Sequence, residues 1–106
     1  MMKTKTLGQL LLELEAELRR IQLWEEQIPS VEALSSEEPF CIDQLDLSQW
    51  LQWIFIPKML YLIENQKPLP EFCGIHQVAE EAFNGMKQDM TETLELIKRI
   101  DLVICE

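Results

Sequence analysis

The chain has 106 residues, 47% of them hydrophobic and only three glycine, which fits one folded domain with a single core and excludes a disordered chain. Nineteen Asp and Glu against nine Lys and Arg give a formal net charge of −10. Such a surface argues against direct nucleic-acid binding, which needs a positive face to displace counterions, and suits a basic protein partner or plain solubility.

Thr6 reads as the N-cap of a first helix reaching about Glu26. Leu7, Leu10, Leu11, Leu14, Leu18, Ile21 and Trp24 form its apolar stripe, with Glu13, Glu17, Arg20 and Glu25 largely off it. Charged Lys3 and Lys5 lead straight into this helix with no apolar leader, so a cytoplasmic location is expected. Residues 28–45 read as a long connection. Pro29-Ser30 stops the helix, Val31 to Leu34 suits a short turn, and Ser35-Ser36-Glu37-Glu38-Pro39 has loop composition. Phe40, Cys41, Ile42 and Leu45 give that loop apolar side chains to dock, so an ordered crossover is expected. Long ordered loops in compact domains are more often functional than short ones.

The second helix, Leu47 to about Asn65, is the centre of the chain. Asp46-Leu47-Ser48-Gln49 fits a capping box. Placed at helical spacing, the residues that follow leave only a narrow polar strip at Ser48, Gln49 and Gln52, so other helices must cover most of the circumference. The apolar run from Trp50 to Ile63 contains Gln52 and Lys58 and falls short of the ~20 residues needed to span a bilayer. Pro57 predicts a kink, because it has no N–H to offer the Trp53 carbonyl. Lys58 sits in the apolar arc; its stem packs there while the charge reaches water, or else it pairs with a carboxylate or an anionic ligand.

Lys67-Pro68-Leu69-Pro70 ends that helix. A third helix from Ile75 to Asn84 carries Ile75, Val78, Ala79, Ala82 and Phe83 as its stripe, and Gly85 stops it. Asp89-Met90-Thr91-Glu92 opens a fourth, to about Val103, with Met90, Leu94, Ile97, Ile100 and Ile104 inward. The expected fold is all-α: one domain over residues 1–106, an antiparallel four-helix bundle with a long ordered crossover between helices one and two.

Catalytic vocabulary is thin. His76 is the single histidine, so a histidine-based metal cluster is not expected. Cys73-x-x-His76 brings a thiol near an imidazole but lacks an orienting group, and reads as a packed cysteine beside an ordinary histidine. Cys41, Cys73 and Cys105 are odd in number and widely spaced, which suggests reduced thiols. No phosphate loop or nucleophile elbow is present, so no enzyme and no cofactor is expected.

Pro39-Phe40-x-x-Asp43, Trp50-Leu51-Gln52-Trp53-x-x-Ile56-Pro57-Lys58-Met59 and Pro68-Leu69-Pro70 resemble the YqcC-like family of small bacterial proteins, as does Leu23-Trp24 after the first helix. The resemblance covers most of the chain. Lys58 departs from it, since that position is often Arg in the family, and a lysine lacks the bidentate geometry for clamping a carboxylate or phosphate. The resemblance implies an all-α protein without assigned catalytic residues, and a partnership with a TruC-type tRNA pseudouridine synthase, whose gene commonly lies alongside.

Trp50 and Trp53 read first as side chains that fill the centre of the bundle; beside that, two functional uses of the aromatic centre follow. In the first, an interaction protein docks through Phe40, Asp43, Trp50, Trp53 and Lys58, the composition of an interface hot spot. In the second, Trp50, Trp53, Phe55 and Tyr61 line an apolar pocket for a small molecule, with Lys58 on its anionic head group. A homodimer using the surplus aromatics is a third reading.

Overall fold

The computed structural model describes residues 2–70 and 74–105. Among the described residues every regular element is helical: α1 (Met2–Arg20), α2 (Val31–Leu34), α3 (47–64), α4 (Ile75–Ala82) and α5 (Thr91–Ile104), with a 3₁₀ turn at Pro39–Cys41. Five helices stand where four were expected. The additional one is the single turn Val31–Leu34, which Ser30 caps by accepting from the Ala33 N–H at 3.1 Å.

α1 ends six residues earlier than its pattern suggested. Gln22 turns left-handed (φ 65°), the Leu23 N–H reaches back to the Leu18 carbonyl at 2.9 Å, and the Gln22 N–H bonds the Arg19 carbonyl at 3.1 Å. This pair of bonds is a Schellman closure, built here on glutamine where glycine is usual. α3 ends the same way, with Gln66 at φ 53° and the Lys67 N–H on the Leu62 carbonyl at 2.9 Å. Trp24 therefore lies beyond α1, half-buried, with the Arg19 guanidinium 4.8 Å from its ring centre.

The core follows the apolar stripes. Leu7, Leu10, Leu11, Leu14, Leu18 and Ile21 are buried along α1, and Met90, Leu96, Ile97, Ile100, Val103 and Ile104 in and just before α5. These two helices run antiparallel and pack on each other: the Lys3 ammonium donates to the Ile104 carbonyl at 3.1 Å, near the start of one and the end of the other. Each fully buried leucine contributes about 1.5–3 kcal/mol relative to exposure, so this seam is the main apolar contribution to stability. The C-terminal half of α3 packs on α1, and α4 packs on α5. On α4, Ile75, Ala79 and Phe83 are buried as expected, whereas Ala82 is exposed.

α3 is continuous but not uniform. It is α-helical at Leu47–Trp50, π-helical at Leu51–Phe55 and α-helical again at Ile56–Glu64. The Ile56 N–H bonds the Leu51 carbonyl, five residues back. Pro57 follows at once, in the first turn of the next α segment. A widened turn directly before the proline puts its missing donor where the bonding register is already changing, which is how the helix tolerates it. The capping box at its start is present, with the Gln49 Oε1 accepting from the Asp46 N–H at 2.8 Å.

α4 is capped from a distance. Gly74, left-handed at φ 109°, has no side chain to cap it. Asp101 of α5, 8% exposed, fills that role: its carboxylate accepts from the Ile75 N–H at 3.2 Å and the His76 N–H at 2.8 Å. A negative charge at a helix N-terminus satisfies orphan donors and complements the dipole. Cys41 is a free, buried thiol, whereas Cys105 is disulfide-bonded, so the expectation of reduced thiols does not hold for Cys105. The Cys73–His76 pairing lies outside the described residues; His76 itself is partly buried, its Nδ1 3.3 Å from a carboxylate oxygen of Glu80. None of the helices among the described residues is long and apolar enough to cross a membrane.

Candidate functional site: the Glu25 clamp

The narrow polar strip of α3 does not face water. Ser48 and Gln52 are buried, at 7% and 4% exposure, and Gln49 is half-buried. Gln52 explains why. Its side-chain oxygen accepts from the Glu25 N–H at 2.8 Å, and its side-chain amide donates to the Glu25 carbonyl at 2.7 Å. A side-chain amide presents one acceptor and two donors in a plane, so it can pair with both polar groups of an extended residue. The Glu25 carboxylate is held as well, by the Gln49 amide at 3.2 Å and by the Trp53 indole N–H at 3.3 Å. Residues three and four apart share a helix face, which is how positions 49, 52 and 53 converge on one partner.

The clamp pins residues 21–46, the connection between α1 and α3. Farther along, the Phe40 ring meets Trp50 edge-on at 4.8 Å, and Trp50 in turn stacks on Phe55 at 5.2 Å. Phe40 and Cys41 both take positive φ, 59° and 51°, which turns the chain sharply so that Cys41 and Leu45 are buried. Asp43, exposed, accepts from the Ser36 hydroxyl, tying the two sides of this loop. The connection is thus ordered by polar bonds at one end and aromatic contacts at the other.

The candidate residues separate accordingly. Phe40 and Trp50 come together at one end of the connection and Trp53 is held by Glu25 at the other; Asp43 and Lys58 are exposed. Of the five considered for a pocket, Trp50 and Phe55 stack in the core, Trp53 is engaged by Glu25, and Tyr61 and Lys58 stand in solvent. None of the five lines either of two open clefts that the surface does present. One is bounded by Glu25, Glu26, Gln27, Ile28, Pro29 and Gln49, the other by residues of the α4–α5 turn including Phe83, Asp89 and Met90. Glu25, Gln49 and Gln52 were not singled out as site residues from the sequence. The available signal was a pair of glutamines one turn apart on the chain's most apolar helix, where solvent could not be their partner.

Titration is perturbed at the far end of α1. Arg20 grips Glu17 with both forks, at 2.7 and 2.5 Å, and this hydrogen-bonded ion pair lowers the Glu17 carboxyl below its ordinary value despite burial. Asp89, ahead of α5, is also lowered, chiefly by hydrogen bonds from Thr91. Arg20 thus faces the carboxylates of Glu17, Asp89 and Glu92 where the end of α1 meets the start of α5.

Known proteins place these observations. A solution NMR structure of the protein YqcC from E. coli superimposes with a TM-score of 0.86 at 28% identity, covering 100% of this chain and 91% of that one. An uncharacterised protein of Haemophilus influenzae is 40% identical over 87 residues, covering 79% of this chain and 82% of that one. The uncharacterised protein YqcC of Escherichia coli is 42% identical over 93 residues, covering 88% and 85%. A tRNA pseudouridine synthase C of Pectobacterium carotovorum subsp. carotovorum is 36% identical over 88 residues, which is 83% of this chain but 23% of that protein. The model of the family DUF446, described as tRNA pseudouridine synthase C, matches residues 6–103. With that match and relatives at 40% identity and above, this chain belongs to the YqcC-like family, DUF446.

Proposed function

We propose that this chain is a cytoplasmic, non-enzymatic interaction module that docks on a tRNA pseudouridine synthase. One observation carries the reading: a stretch like this chain makes up 23% of a protein named tRNA pseudouridine synthase C. In that protein the remaining length is free to hold the catalytic unit, and covalent linkage gives the two parts an effective concentration in the millimolar range. A separate chain achieves the same association through an interface. On this view the longer helices form an antiparallel bundle that serves as scaffold, and the crossover of residues 21–46 is the working surface. Phe40, Trp50 and Trp53 hold that surface in place, and Asp43 and Lys58 contribute charge. The net charge of −10 favours an enzyme with a basic face over tRNA itself as the docking partner.

The test is to mix the purified chain with a tRNA pseudouridine synthase C from the same cells and follow sedimentation at low and moderate salt. A complex at low salt that weakens as salt rises is expected, with no binding of the chain to tRNA alone. Two folded proteins that sediment independently at low salt would overturn the reading.

A further inference from the structure

We infer that residues 21–46 form a docking surface for a basic segment of a partner protein, one that presents lysine or arginine around apolar side chains. Charge is the first observation. From Ile21 to Pro57 the sequence holds seven carboxylates, Glu25, Glu26, Glu32, Glu37, Glu38, Asp43 and Asp46, and no Lys, Arg or His. The rest of the chain carries the other twelve acidic groups against all nine basic ones, so about two-thirds of the net charge sits on roughly one-third of the length.

Apolar exposure is the second. Val31 is 79% exposed, Ile42 68% and Ile28 66%, the three most exposed large apolar residues among those described, and all lie on this segment. Ile28 and Pro29 line the open cleft beside Glu25, and Val31 begins α2 just beyond. Apolar side chains in solvent inside a strongly acidic frame are the pattern of an interface whose partner supplies both contact and counter-charge.

Order is the third. Gln52 and Gln49 fix Glu25 at the rim of the cleft, and Ser30 caps the turn that carries Val31. A surface already held in shape gives up less conformational freedom on binding than a floppy loop. The sign of the charge chooses the occupant. A second copy would set one seven-carboxylate face against another, and anionic lipid or nucleic acid would be repelled; only a basic, apolar-bearing segment gains on both counts.

The surface stands on its own observations, while the partner's identity rests on the proposed function, and one experiment separates them. Amide spectra of the full chain are followed during titration with two probes: the tRNA pseudouridine synthase C, and a synthetic amphipathic peptide of lysine and leucine with a glutamate–leucine peptide as control. The parent is compared with I28S/V31S and with E26K/E32K; all four positions are exposed, so native spectra are expected. Shifts or broadening confined to residues 24–46 are expected with the synthase and with the lysine peptide, and each variant should bind about tenfold or more weakly. If the synthase binds and both variants match the parent, the surface is wrong and the partnership survives. If the lysine peptide binds at residues 24–46 and the synthase does not, the surface stands and the partnership fails. Silence from both probes, or equal response to the acidic control, overturns the surface.

Discussion

The α1–α5 seam and the 21–46 connection are held by opposite chemistry. Along the seam, leucines and isoleucines are buried on both helices, and the force is loss of apolar surface from water. Across the connection the contacts at its near end are polar: Gln52 on the backbone of Glu25, with Gln49 and Trp53 on its carboxylate. Apolar burial is tolerant of small shifts, because it has no direction. A two-point amide clamp is not, since hydrogen bonds weaken steeply with misalignment. The seam therefore fixes that the chain folds, and the clamp fixes where one particular loop lies. The loop held by direction is also the one that carries seven carboxylates and the most exposed apolar side chains among the described residues.

Phe55→Ala is the change expected to do most damage, because it strikes where the two regions meet. The ring is 2% exposed and stacks on Trp50, which itself receives Phe40 from the connection. Removing a buried phenylalanine costs about 3–5 kcal/mol through lost transfer energy and the cavity left behind. Guanidinium unfolding should show that loss in both regions at once. A loss under about 1 kcal/mol would mean that the aromatic stack is not part of the core.

Gln52→Leu divides the regions instead. Leucine fills much the same space but leaves the N–H and carbonyl of Glu25 without partners, at about 1–3 kcal/mol. Because the connection can open to water without unmaking the seam, amide exchange should accelerate over residues 22–30 while the interiors of α1 and α5 keep their protection. Equal acceleration in the helices would show that loop and seam unfold as one unit.

The two regions were not equally legible. Buried stripes on α1 and α5 could be read from spacing, because burial of an amphipathic face depends on local periodicity, and the match of Leu7 through Ile21 to the observed core shows it. The family could be read from the Trp50–Met59 block. The end of α1 could not: the left-handed residue is Gln22, with neither glycine nor proline to announce it, so the pattern ran on to Trp24. The π turn was equally silent, since Pro57 signals a disruption without saying which register absorbs it. The clamp joins residues about 27 positions apart, and nothing local in Glu25 marks it as the partner of Gln52. Asp101 was hidden for the same reason, as a cap supplied by a different helix.

The smallest expected effect lies at the junction, in the last turn of α1 before the connection begins. Arg20 holds the Glu17 carboxyl below its ordinary 4.5, so Glu17 binds a proton more readily unfolded than folded. Its contribution to stability is therefore fully present above about pH 4.5 and is lost as pH falls toward the depressed folded value. Glu17→Gln keeps the shape and one acceptor for Arg20 but cannot titrate. The parent should melt above the variant at neutral pH, by a margin smaller than for either Phe55→Ala or Gln52→Leu, and the two curves should converge as pH falls below the ordinary 4.5 and through the depressed folded value. Asp89, lowered in the same direction by Thr91, remains in both proteins and so leaves a shared acid-side slope that the comparison subtracts. A margin that stays constant down to about pH 3 would show that Glu17 acts through packing and not through its charge.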